Sequence, residues 1–100
     1  VAHVRWRDYS HYTRSGPIQD INLEFEARLF FHTSSSTDRQ NDAIEFQYCT
    51  VSANAANLRR ATGLVSTTGF ENTDGSRGVQ FAYDTANAVR TGDLIRFERR

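Results

Sequence analysis

The 100-residue chain predicts an all-β fold, a jelly-roll-like antiparallel β-sandwich of about six strands. Three observations carry this reading. Residues 21–31, INLEFEARLFF, put Ile21, Leu23, Phe25, Ala27, Leu29 and Phe31 on one parity and Asn22, Glu24, Glu26 and Arg28 on the other. Alternation of period two over such a length marks a half-buried strand that crosses a small domain. Residues 43–51 repeat the pattern, with Ile44, Phe46 and Tyr48 against Glu45, Gln47 and Cys49. Between two further extended segments lies NTDGSR at residues 72–77, whose Asp74-Gly75 pair favours the positive backbone angles of a tight hairpin.

Taken in order, residues 2–7 alternate weakly, with Ala2, Val4 and Trp6 opposed to His3, Arg5 and Arg7. Residues 9–20 hold Ser10, Ser15, Gly16 and Pro17 and read as a loop. The long strand follows, then the polar loop 33–41 and the strand 43–51. Residues 52–63 read as a loop with one short helical turn, with Ser52 as its candidate cap and two Asn opposing helix. Residues 64–71 and 78–83 form the hairpin, with Val79, Phe81 and Tyr83 on one face. Residues 93–98 close the fold through Ile95 and Phe97. Ile21, Leu23, Phe25, Leu29, Phe31, Ile44, Phe46, Val79, Phe81, Ile95 and Phe97 should then form one buried cluster.

One hundred residues make a single domain, 1–100, or the C-terminal portion of a larger sandwich. The expectation of a fragment rests on two points. Six strands are few for two mutually covering sheets. A chain that starts at Val1 and contains no Met also reads as a processed or excised piece. The formal charge is zero, and all twelve basic residues are Arg, which fits a high-GC genome. No run is long and apolar enough to span a membrane. Arg5-Trp6-Arg7 and Arg99-Arg100 mix cations with an aromatic, but balancing acids leave the electrostatic demand of nucleic acid unmet. Cys49 is the lone cysteine, so no internal disulfide exists.

No catalytic pattern emerges. His3, His11 and His32 match no zinc spacing, although His3 and His32 lie on strands that would approach each other. No Ser occupies a G-x-S-x-G turn that would serve a triad with Asp8 and His11. Glu24 and Glu26 form a carboxylate pair on one strand face, where solvated charges explain them better than glycoside hydrolysis. Asn72 and Asp74 are a candidate calcium pair, but a hairpin turn explains the same residues and the EF-hand spacing is absent. No cofactor is expected. Tyr9, Tyr12 and Phe30 are the spare aromatics, candidates for a sugar platform. Trp6 is the candidate contact with a partner.

Three segments, in order, resemble a β-sandwich module of secreted and surface-displayed proteins of high-GC bacteria, distantly like the nidogen-type extracellular domain. VRWRDYSHY resembles its V-x-W-x-[DN]-x-x-x-Y strand and loop. LEFEARLFFHT and DAIEFQYC resemble its central hairpin. STTGFENTDGSRGVQFAY and GDLIRFER resemble its E-N-x-x-G-x-x-G hairpin and closing strand. The loops after Tyr12 and Tyr48 are longer than that pattern, and strands that usually precede the Trp-bearing one are missing here. The resemblance implies a non-catalytic extracellular module serving structure, adhesion or ligand contact. A carbohydrate-binding module and a fragment of a secreted hydrolase are the alternatives. The partners expected are a protein, the N-terminal half of the same domain, a second copy, or a glycan.

Overall fold

The computed structural model describes residues 1–31 and 42–98, with the backbone alone at Tyr12 and Thr13. His32, the polar loop at 33–41 and Arg99-Arg100, all named above, lie outside the described residues. The described chain forms strands β1 (Ala2–Tyr9), β2 (Tyr12–Thr13), β3 (Gly16–Pro17), β4 (Asn22–Phe30), β5 (Ala43–Ser52), β6 (Thr67–Glu71), β7 (Gly78–Tyr83) and β8 (Leu94–Glu98), with a helical turn at Arg60–Leu64. Every strand pairing among them is antiparallel. The fold is all-β, as the alternation requires. No described helix is long and apolar enough to cross a membrane.

A four-stranded sheet in the order β1-β4-β5-β8 forms one layer, and the β6-β7 hairpin forms a narrower second one. Register assigns each face of the sheet its chemistry. Trp6 lies opposite Phe25 and Phe25 opposite Tyr48, while Phe46 lies opposite Ile95 and Ile44 opposite Phe97. These apolar residues share one face, because directly opposed residues point the same way. The other face carries Arg5 opposite Glu26, Arg28 opposite Glu45 and Glu45 opposite Arg96.

Ion pairs tile that polar face from edge to edge. Glu26 bonds His3 and Glu24 bonds Arg5, with Arg7 3.7 Å from Glu24. Glu45 accepts from Arg28 at 3.1 Å and from Arg96 at 2.8 Å, joining three strands through one nearly buried carboxylate. Glu24 and Glu26 are thus partners of β1 on a solvated face, as the charge reading of the sequence has it.

The apolar face is covered only in part. Phe70 of β6 meets Phe97 edge-on at 5.0 Å, and Phe97 meets Phe46 at 5.5 Å. The tightest core sits at one end of the sheet, where Ile21, Val51 and Ala61 are buried together against Ile18, Leu23 and Tyr48. Among the described residues no large side chain is fully buried. The expected single buried cluster is therefore corrected. Ile21 is buried, Phe25, Phe46, Ile95 and Phe97 are half-buried, but Leu29, Phe31, Val79 and Phe81 are exposed. The physical reason is width: a two-stranded hairpin cannot roof a four-stranded sheet, and the sandwich stays unclosed.

Two local readings change as well. The segment after Pro17 enters β4 as expected, but residues 12–17 close a miniature hairpin, with Tyr12 opposite Pro17 and Thr13 opposite Gly16. Ser52 ends β5 and caps nothing. Instead the Asn54 side chain accepts the Asn57 N–H at 3.1 Å, and helical backbone starts later, at Leu58, and runs into the turn at Arg60–Leu64. Asn, which disfavours helix interiors, acts here as the residue that starts the turn. Gly63 is required within it. Its φ is +125°, and a Cβ there would lie 2.7 Å from the Thr85 carbonyl oxygen.

Candidate functional site

The feature that shapes the apolar face is a pair of β-bulges at one level of the sheet. On β1 the register slips between Trp6 and Tyr9, with Asp8 in the left-handed region at φ 55°. On β5 it slips between Tyr48 and Thr50, which leaves Cys49 without an opposite number on β4. Both slips flank Phe25 and Glu24. An extra residue bends its strand and re-aims the side chains that follow. Strict alternation would put Tyr9 on the charged face. The bulge returns it to the apolar one, where its ring meets Phe25 edge-on at 6.4 Å.

The outcome is a cleft of about 370 Å³ between the bent sheet, the helical turn and the start of β6. Its floor is a row of rings. Trp6 stacks on Phe25 at 4.8 Å and 19°, and Phe25 leans on Tyr48 at 5.9 Å. Tyr9, 51% exposed, forms the rim. Polar atoms are few. The Tyr48 hydroxyl lies 3.4 Å from the Thr68 hydroxyl, and Ser10, His11, Ser66 and Thr67 complete the opening. Burial pushes the Tyr48 phenol above its ordinary value, against the smaller opposing effect of the Thr68 contact, so it stays a neutral donor. Ser10 is committed elsewhere, donating to the Ile18 carbonyl. None of the described lining residues is Asp, Glu or Arg. Such a cleft suits an uncharged group with one flat or apolar face, because a charge entering it would lose water without gaining a counter-charge.

The sequence candidates are distributed as follows. Trp6 and Tyr9 come together in the cleft. Phe30 lies on the opposite face, half-buried, with the Arg96 guanidinium 5.4 Å from its ring centre. A sugar platform built from Tyr9 and Phe30 together is therefore not formed; the ring of Tyr12 lies outside what is described. Asn72 and Asp74 spend their oxygens on their own turn. The Asp74 carboxylate accepts the Ser76 N–H at 3.0 Å, and the Asn72 side-chain oxygen accepts the Arg77 N–H at 3.1 Å. The Ser76 side chain first, and then the Ser76 N–H, hold the Asp74 carboxyl below the usual range. Such bonds are what a hairpin turn asks of Asx residues. Cys49 is a half-buried free thiol.

Phe25 was read from the sequence as core and Tyr48 only as sharing the strand face of Ile44 and Phe46; their place in the cleft follows from two bulges that alternation cannot reveal. The one sequence signal was Asp8, a residue type that tolerates the left-handed conformation, next to an aromatic out of parity. No family model, curated protein or solved structure matches the chain.

Proposed function

We propose that the chain is a non-catalytic binding module of a secreted or surface-displayed bacterial protein, and that it binds through the aromatic cleft. The observation that carries this is the contrast between the two faces of one sheet. The polar face is closed by ion pairs, whereas the apolar face keeps four rings gathered around Phe25, beside an open cleft with no Asp, Glu or Arg in its described lining. Rigid aromatics bring large contact area at low entropic cost, and they concentrate binding energy where they cluster. The extracellular setting is supported by the order of the three motif segments.

The preferred ligand class is the apolar side chain of a structural or adhesive protein partner. A neutral sugar is the second reading. It is favoured by one observation, the exposed Tyr9 ring on a cleft that the hydroxyl-bearing Thr67 and Thr68 also line.

Trp6 is the only tryptophan, so its emission reports on cleft occupancy directly. Titration with neutral oligosaccharides and, separately, with short apolar peptides should shift that emission for one class. Tyr9→Ala should weaken the response by about tenfold or more, as loss of an aromatic anchor does. Thermal unfolding should change little, because the ring is half exposed. Hydrolytic turnover by the purified chain, abolished by changing one polar cleft residue, would overturn the non-catalytic reading.

A further inference from the structure

The two edge strands of the four-stranded sheet, β1 and β8, differ in length and in what continues them. Just before β8, the chain itself supplies partners to the part of β5 that β8 leaves unpaired. Gly92 N–H donates to the Tyr48 carbonyl at 2.7 Å, and Tyr48 N–H donates to the Asp93 carbonyl at 2.9 Å. The Thr91 hydroxyl accepts from Val51 N–H at 2.8 Å and donates to the Val51 carbonyl at 3.3 Å, standing in for a strand. β1 is longer than β8 and pairs with β4 on one side only. Among the described residues, no backbone hydrogen bond reaches its outer side. A long edge strand of this kind is a template for strand addition.

The side chains of β1 specify what would be added. Its polar side presents His3, Arg5 and Arg7 to only two carboxylates, Glu24 and Glu26. Arg5 and Arg7 share Glu24, and Arg7 is 68% exposed. Its apolar side ends in an exposed Val4 and the outer margin of Trp6. The strand that β1 already accepts, β4, alternates Leu23, Phe25 and Ala27 with Glu24 and Glu26.

We propose that the outer edge of β1 is a docking edge for an extended partner segment in which acidic residues alternate with apolar ones. As a fifth strand, such a segment sets carboxylates beside Arg5 and Arg7 and extends the apolar face past Val4 and Trp6. Main-chain bonds supply the attachment, and the charges choose the partner. A second copy pairing β1 to β1 would instead crowd arginines together, and the bulge at Asp8 would interrupt the ladder. This proposal concerns the edge and does not require the cleft to hold a ligand.

The experiment uses the full chain with two short synthetic peptides, one alternating Glu with Leu and Val, the other with Lys in place of Glu. Backbone amide exchange is followed residue by residue. The acidic peptide should bind and slow exchange along β1, with the basic peptide at least about tenfold weaker. Arg7→Glu, a change at an exposed side chain, should weaken the acidic peptide by about tenfold and reverse the preference toward the basic one. Raised salt should reduce the discrimination. Equal binding of both peptides, no binding at millimolar concentration, or protection confined to β8 or the β6-β7 hairpin would each overturn the proposal. So would a concentration-dependent dimer that protects β1 without peptide, since the edge would then belong to a second copy.

Discussion

Phe25 touches three other rings, those of Trp6, Tyr9 and Tyr48, and so ties β1, β4 and β5 together on one face. It is only half-buried, so truncation removes stacking and partial burial rather than a full core side chain. Phe25→Ala should cost about 2–4 kcal/mol in urea unfolding, toward the low side of aromatic-to-Ala changes. A loss below about 1 kcal/mol would mean that the ring row does not hold the sheet. On the opposite face, the His3 hydrogen bond is the main cause that holds the Glu26 carboxyl below its ordinary value of 4.5. The folded state therefore binds fewer protons there than the unfolded chain. That stabilisation is complete above the ordinary value and is lost as pH falls through the lowered one. His3→Ala should lower Tm at neutral pH, and its Tm should converge on that of the parent in acid. Parallel curves down to pH 2 would contradict the pairing. These residue-level assignments were legible where alternation holds: Glu24, Glu26 and Arg28 fell on the charged face as the pattern requires.

At the scale of elements, the six main strands were legible because each carries its own period-two pattern and its own turn chemistry. What alternation missed were interruptions of the period. The bulges at Asp8 and Cys49 each insert one residue, and so does a slip between Thr68 and Gly69 in the hairpin. That last slip pairs Val79 with Phe70 but Tyr83 with Thr67, so Val79, Phe81 and Tyr83 do not share the single face their spacing suggests. A bulge is set by how neighbouring strands must bend to pack, which a single strand's sequence does not encode. The helical turn was placed too early for a similar reason. Its position is fixed by the long-range bonds of Thr62, which accepts the Asn87 N–H on its hydroxyl at 2.9 Å and the Val89 N–H on its carbonyl at 3.1 Å. Gly63 sits inside that junction. Gly63→Ala should destabilise by about 1–3 kcal/mol, through the positive φ and the close Thr85 carbonyl. The change in urea midpoint measures it, and a neutral substitution would show that the junction is slack.

For the whole molecule, the all-β class and the shortage of strands were both visible in the sequence. The candidate site was visible only as separate aromatics, of which Trp6 and Tyr9 met and Phe30 did not. The central claim is that one layer of this sandwich is too narrow, so that its aromatic face remains open for binding. Oxidation of side chains by hydroxyl radicals in dilute solution, located by mass spectrometry, tests it most directly. Tyr9 and Trp6 should oxidise at a substantial fraction of their rates in the denatured chain, well ahead of buried Ile21 and Val51. Protection of Trp6 and Tyr9 as firm as that of Ile21 in the monomer would mean a closed sandwich and would contradict the account.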